Sequence, residues 1–260
     1  MHGKVVKDNF RIIKAIEYLV DLRKISKSVT FLSHLGRPDG INLDYSLKPV
    51  AEEMSLLLNE EVLFINSLHG PEVKNHIDEN PGKVFLLENL RFHNEETENN
   101  FDFAKKVTEN FDSFILDAFG AAHRNHASIV SFGNFIEAYQ GKLMTNEVKN
   151  LELLTNSPKK PFSVILGGAK ISDKLQLINK LLPSVDNLLI GGGMCFTFLK
   201  AQGNNIGKSL YEEDYLQKAK ELLDSDNGKK IYLPSDFGVT KSIDSGIRLD
   251  KEISEFSDDD

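Results

Sequence analysis

The sequence predicts an α/β protein with parallel sheets in two consecutive domains. Short apolar runs alternate with amphipathic helical stretches. The alternation halts at one long helix near the middle and then restarts. Arginines and glycine clusters fall just past the apolar runs, where open α/β sheets place ligands. The 260 residues suffice for two ordinary domains, each with its own core.

The elements follow in order. Arg11–Lys24 reads as a helix with Ile12, Ile16, Leu19 and Val20 on one face. Val29–Ser33 is a strand-like run that leads into a glycine- and proline-bearing turn. Leu47–Leu58 reads as helix and Val62–Ile65 as strand. Val84–Leu87 and Ser113–Leu116 read as strands, with helix over Phe101–Asn110 between them. Gly141–Leu154 is a longer helical stretch that stops at Asn156-Ser157-Pro158. Beyond it Phe162–Leu166, Leu188–Ile190 and Lys230–Leu233 read as strands. Ser172–Leu182, Met194–Gln202 and Tyr215–Leu223 read as helices. The expected division is a domain over 1–140, a connecting helix over 141–156 and a second domain over 157–260. The acidic tail Glu252–Asp260 shows no apolar period and is expected to be disordered.

Composition narrows the function. Hydrophobic residues at 40% and charged residues at 27% are ordinary for a soluble globular chain. A net charge of −8 gives no reason to expect nucleic acid or an anionic membrane as partner. One cysteine, Cys195, excludes an intrachain disulfide and a cysteine metal cluster. No apolar run is long enough to span a bilayer and no signal-peptide pattern opens the chain, so a cytoplasmic location is expected.

Arginine is scarce, at six residues, yet three follow strand-like runs: Arg37 in SHLGRPDG, Arg91 in LLENLRFH and Arg124 in DAFGAAHRNHAS. Guanidinium forks converging from three strand ends suit a small dianion. His34 and His123 stand beside two of them, as positive or hydrogen-bonding imidazoles. His123 and His126 form a metal-like pair without a third ligand, so no metal site is expected. His69, His76 and His93 read as solvated. In the second half, GGAKISDK (167–174) follows a strand, and its backbone N–H groups at a helix start would receive phosphate. Lys170 and Lys174 would add charge on one helix face. GGGM (191–194) repeats the arrangement. The stretch Gly203–Ser209 imitates a P-loop, but it follows a helix and has three residues between its glycines.

In this order SHLGRPDG, SLKPVAEE, LLENLRFHNEE, DAFGAAHRNHAS, GGAKISDKLQLINKLL and IGGGMCFTFLKAQG, with the later IGKSLYEED, resemble the phosphoglycerate kinase family. Asp8-Asn9-Phe10-Arg11-Ile12 resembles that family's arginine-bearing segment before its first long helix. The resemblance runs from Lys7 to about Asp236. It implies two Rossmann-like three-layer α/β/α domains with parallel sheets, the second one incomplete. It implies phosphoryl transfer between 1,3-bisphosphoglycerate with ADP and 3-phosphoglycerate with ATP, with Mg2+ carried on the nucleotide. Carried over, Arg11, His34, Leu35, Gly36, Arg37, Arg91 and Arg124 would bind the triose. Gly168, Ala169, Lys170, Lys174 and Gly193 would bind the nucleotide, and Arg11, Lys170 and Lys174 would stabilise the phosphoryl group in flight.

The same resemblance implies family segments this sequence does not show. They are an opening strand reading RVDFNVP, a later GP segment, a GGGDT turn whose aspartate helps place the magnesium nucleotide, and a returning terminal segment. The expectation is therefore a fragment of a monomeric parent, inactive alone. The alternative is a non-catalytic paralogue that keeps the anion site as a binding or interaction protein. A dinucleotide oxidoreductase is disfavoured, because no G-x-G-x-x-G follows a first strand.

Overall fold

The structure, a computed structural model, describes residues 5–240 and 248–258. The chain divides into two units, Met1–Glu152 and Leu153–Asp260. The first opens with α1 (Phe10–Ile16), α2 (Leu19–Arg23), β1 (Val29–Phe31) and α3 (Lys48–Leu58). Next come β2 (Val62–Ile65), α4 (Pro71–Glu79) and β3 (Val84–Leu87). A single turn, α5 (Asn94–Thr97), leads to α6 (Phe101–Thr108), β4 (Ser113–Leu116) and β5 (Glu137–Gln140). The last helix, α7 (Lys142–Asn156), starts in the first unit and ends in the second.

β1, β3 and β2 form a parallel sheet in that order, with Val84 opposite both Val29 and Val62. β4 and β5 form a separate parallel pair. All four residues of the central strand β3 are buried. Alternation sends Phe85 and Leu87 to one face, where Phe103 and Val107 of α6 and Phe132 cover them. It sends Val84 and Leu86 to the other, against Leu19 of α2 and Ala51 and Met54 of α3. An unbroken apolar run is what a strand covered on both faces requires. Helices therefore flank this sheet on both faces.

The second unit contains β6 (Ser163–Leu166), α8 (Leu175–Leu181), β7 (Asn187–Ile190), α9 (Met194–Ala201), α10 (Leu216–Asp224) and β8 (Ile231–Tyr232). The strands β6, β7 and β8 are parallel in that order. Leu188 and Ile190 face a core completed by Ile178, Met194, Phe198 and Ala219. The opposite face carries the cross-strand row Ile165, Leu189 and Tyr232, exposed by 77%, 38% and 52%. Among the described residues this sheet thus has one covered face. The strands β9 (Asp236–Val239) and β10 (Leu249–Glu252) pair antiparallel in a sheet of their own.

Several expectations need correction. The helix expected over Arg11–Lys24 is two helices, because Tyr18 leaves helical geometry (φ −115°, ψ 16°) and donates its hydroxyl to Asp117. The apolar period continues across that joint, so the tertiary contact is invisible in it. Helix α4 goes unread in the periodicity because it buries only Val73, although Gly70 at φ 92° followed by Pro71 is a helix-start signal. Disorder over Glu252–Asp260 is wrong as far as residue 258; residues 259–260 lie outside the described residues. Glu252 pairs with Asp236, and Phe256 is buried edge-on to Phe237 at 5.6 Å between ring centres. Two apolar anchors, Ile253 and Phe256, outweigh the acidic composition there.

Candidate functional site

In the first unit the site is built where β3 ends. Glu88 and Asn89 follow its last residue and are buried, at 5% and 0% exposure. The Glu88 carboxylate accepts the Ser46 hydroxyl at 2.7 Å and the Leu47 N–H at 2.8 Å, which holds the start of α3. The Asn89 amide uses its full capacity. Its oxygen accepts the N–H groups of Leu35 (3.2 Å) and Arg91 (3.0 Å). Its nitrogen donates to the carbonyls of Leu35 and Tyr45, both at 2.9 Å. The loop carrying His34, Leu35, Gly36 and Arg37 is thereby stitched to the strand end carrying Arg91. Gly36 sits at φ 66° against the Tyr45 ring, where a Cβ would collide, so only glycine serves there.

Arg91 is 7% exposed. Its Nη1 donates to the Gly36 carbonyl at 2.7 Å, while Nε and Nη2 are buried without a partner. Burial, then the charges of Arg124 and Arg37, depress its proton affinity. Arg37, Arg91, Arg124, His126, Asn94 and Thr97 line a cavity of about 250 Å³. Buried guanidinium donors without acceptors, beside two further arginines, form a socket for an anion.

Burial disfavours the charged form of the imidazoles of His34 and His126. Burial, then Arg91, Arg124, His126 and Arg11, push His34 down to about 4. Of the two expected forms, positive or hydrogen-bonding, this shift favours the neutral, hydrogen-bonding imidazole for His34. Burial also lowers His126, against the opposing charge of Glu96, whose carboxylate lies 3.6 Å from Nδ1. Glu96 is buried and accepts the Ser128 N–H (3.0 Å) and hydroxyl (2.6 Å), which anchors the far end of the Arg124 segment. Arg11 lies on the exposed face of α1, and its charge is felt at His34. His123 is exposed, and among the described residues no group of three or more His, Cys, Asp or Glu is arranged to hold a metal. His69 and His93 are partly buried beside Phe103 rather than solvated; His76 is exposed.

In the second unit the two glycine loops touch. The Met194 N–H donates to the Gly168 carbonyl at 2.9 Å. A Cβ on Gly192 (φ 67°) would stand 2.8 Å from the Gly168 backbone, and one on Gly193 would stand 3.1 Å from the Ala169 carbonyl. The glycines of GGGM are thus needed for close approach of backbones. The first amide of α9, that of Met194, is therefore already engaged and not open to an anion. Lys170 and Lys174 do not share a helix face either, since α8 begins at Leu175. The turn before it is fixed by Glu212, which accepts the Ser172 N–H (3.0 Å) and hydroxyl (2.7 Å). Burial raises the Glu212 carboxyl, but the bonds from Ser172 and Ile171 and the charge of Lys170 outweigh it and hold it low. Lys170 is exposed and Lys174 partly so, with Lys174 Cε near Gly168. The imitation P-loop follows α9 and places Ile206 in the core.

Glu88, Asn89, Glu96 and Glu212 escape the sequence reading, and His126 enters it only as half of a metal-like pair. One signal was available: a Glu-Asn pair directly after a four-residue apolar strand puts two polar groups at a buried strand end. The position of Glu96 and Glu212 against distant serines leaves no local trace.

These features define a parallel α/β protein with arginines at the strand ends of its first unit and glycine loops at those of its second. The sequence pattern of the family described as Phosphoglycerate kinase matches residues 1–259. The phosphoglycerate kinase of Coprothermobacter proteolyticus is 43% identical over 261 residues, covering 98% of this chain and 65% of that protein. That of Thermus thermophilus is 44% identical over 249 residues, covering 94% of this chain and 63% of that protein. The structure of phosphoglycerate kinase from Coxiella burnetii aligns over 100% of this chain and 67% of its own, with a TM-score of 0.85 at 34% identity. The chain belongs to the phosphoglycerate kinase family. It spans 65% and 63% of the two relatives' lengths.

Proposed function

We propose that the first unit binds 3-phosphoglycerate and 1,3-bisphosphoglycerate, and that the chain serves phosphoryl transfer between that triose and ADP or ATP in glycolysis. The observation that carries this reading is Arg91, buried with two unpaired donors in a cavity shared with Arg37 and Arg124. A triose carrying a phosphate at one end and a carboxylate or acyl phosphate at the other supplies the acceptors these groups lack. In this reading Arg37, Arg91 and Arg124 hold the phosphate end. His34 donates from a neutral ring, and the Leu35–Gly36 backbone shapes the floor. Arg11 answers charge on the triose side of the transferring group.

Gly168, Ala169 and Gly193 form the backbone platform for the nucleotide, and Lys170 and Lys174 neutralise its phosphates. Mg2+ arrives on the nucleotide as part of the substrate. Transfer of this kind rests on positioning and charge neutralisation, so a platform of cations and backbone groups suffices without a general base. Among the described residues no helix is long and apolar enough to cross a membrane. A cytoplasmic, monomeric setting is part of the proposal. The activity is assigned to a polypeptide of the relatives' length, and the anion chemistry to these 260 residues.

Titration calorimetry with 3-phosphoglycerate is the test. Binding heat should be clear for the native chain and absent from an Arg37→Ala/Arg124→Ala variant. Equal heats from the two would refute the assignment.

A further inference from the structure

Asp117 directly follows β4 and opens the segment that carries Arg124. Its carboxylate is shared between two partners from other parts of the unit. Oδ1 accepts the Met144 N–H at 2.9 Å, and Oδ2 accepts the Tyr18 hydroxyl. Met144 is the third residue of α7, a position whose N–H has no acceptor within the helix. The residue before α7 is Gly141, which has no side chain with which to cap that amide. A Cβ on Gly141 would collide with the Asp117 carboxylate. Asp117 therefore caps α7 from a strand end, as a negative group at the positive end of the helix. The Gly141 N–H donates to the Leu116 carbonyl at 2.9 Å, which keeps the two segments in register.

One further arm of this node leads to Arg124 at the cavity, and the other leads to α1, whose Arg11 acts by charge on His34. Three consecutive turn bonds run from Asp117 toward Arg124. The Ala121 N–H donates to Ala118 (2.9 Å), Ala122 to Phe119 (3.0 Å) and Arg124 to Ala121 (2.9 Å). Tyr18 is the break between α1 and α2, and α1 carries Arg11. We propose that Asp117 is a positioning residue: through Tyr18 and the Met144 N–H it locks Arg11 and Arg124 relative to the start of α7, so that occupancy of the anion site is registered at α7. The inference rests on the anion-binding reading above. Asp117 acts through other residues and is not assigned a contact with the ligand.

The test measures 3-phosphoglycerate affinity by calorimetry and exchange of the Met144 amide with and without ligand. The variants are Asp117→Ala, Asp117→Asn and Tyr18→Phe. Asp117→Ala should weaken binding about tenfold or more, because supporting groups hold a site to about 0.5 Å and a misplacement of about 1 Å is costly. Asp117→Asn keeps an acceptor for Met144 and a partner for Tyr18, and should stay within about threefold of native. Tyr18→Phe frees only the Arg11 arm and should fall between them. Ligand should slow Met144 exchange in the native chain, and this response should vanish in Asp117→Ala. A merely structural aspartate would lower the unfolding temperature without altering that response. Should Asp117→Ala fail to fold, Tyr18→Phe decides. Native affinity in Tyr18→Phe, or a Met144 amide indifferent to ligand in the native chain, overturns the inference alone. A native chain that binds no triose overturns the anion reading itself, and this inference with it.

Discussion

Replacing Arg91 by Met should make the ligand-free protein more stable and the liganded protein less stable. Met keeps most of the unbranched stem and removes the charge. Without ligand, Arg91 leaves Nε and Nη2 buried without acceptors and faces Arg37 and Arg124. A buried unpaired donor costs about 1–3 kcal/mol, so two cost about 2–6 kcal/mol. The substitution also removes the bond from Nη1 to Gly36, a charged-donor contact of about 1.5–3 kcal/mol. Gly36 is exposed, so water can replace that donor. The balance is a gain of about 1–3 kcal/mol, or a rise of roughly 2–4 °C in Tm per kcal/mol for a chain of this size. Ligand reverses the order. At a thousand times Kd it adds about 4.1 kcal/mol to the native protein, more than the variant's gain, and nothing to a variant that does not bind. Thermal unfolding with and without 3-phosphoglycerate reads both arms. A variant that melts lower without ligand, or that keeps the ligand-induced shift, would refute the view of Arg91 as a strained, waiting donor.

His34 titrates near 4 in the folded chain, while an unfolded imidazole titrates near 6.5. The unfolded state binds the extra proton between those values, so the stability from neutral His34 is complete above about pH 6.5 and declines as pH falls toward 4. Solvent screening of a half-buried ring reduces that decline to about 1–2 kcal/mol. His34→Asn should flatten that part of the stability curve; an unchanged slope from pH 4 to 6.5 would count against it. Glu96→Ala should cost about 1–3 kcal/mol by orphaning the Ser128 N–H, and should weaken triose binding through the Arg124 segment. Native affinity in that variant, measured by calorimetry, would show that the anchor is irrelevant to the site. Gly192→Ala should destabilise the second unit by about 1–3 kcal/mol, since both its φ of 67° and the 2.8 Å approach to Gly168 exclude a Cβ. Denaturant unfolding with an unchanged midpoint would contradict this. Ile165→Lys with Leu189→Lys should reduce self-association of the 260-residue chain in sedimentation runs, because an exposed apolar row on a parallel sheet is adhesive. Identical sedimentation would show that the row is inert.

The strands were legible because their apolar runs match their pairing. Val62–Ile65, Val84–Leu87 and Ser113–Leu116 coincide with β2, β3 and β4. A run buried on both faces needs no partner to be recognised. What escaped was settled at long range. The break at Tyr18 depends on Asp117, 99 residues away, and the late start of α8 depends on Glu212 holding Ser172 across 40 residues. β5, with all four residues exposed, offers no apolar signal at all. In the site, the arginines were legible as scarce residues after strands, and the structure gathers Arg37, Arg91 and Arg124 around one cavity. Their supports were not legible, because Asn89 and Glu96 matter through the backbone atoms they bind rather than through any motif of their own.

Those supports explain how an acidic chain maintains a cationic socket. With 39 acidic and 31 basic side chains, carboxylates should find the arginines and neutralise them. The buried acids nearest the site are instead engaged by backbone and hydroxyl donors: Glu88 by Ser46, Leu47 and Asn89, and Glu96 by Ser128. An acid so engaged contributes folding stability while presenting little free acceptor capacity to a guanidinium. Glu212 repeats the device beside the glycine loops, where its bonds to Ser172 fix the turn that carries Lys170 and Lys174. The free energy of these bonds offsets the unpaired donors of Arg91, so the strain at the socket is sustained by the frame around it. A guanidinium that had already met a carboxylate would have to be pulled from it before binding a phosphate. In the proposed reading, one left without an acceptor has no such bond to break first.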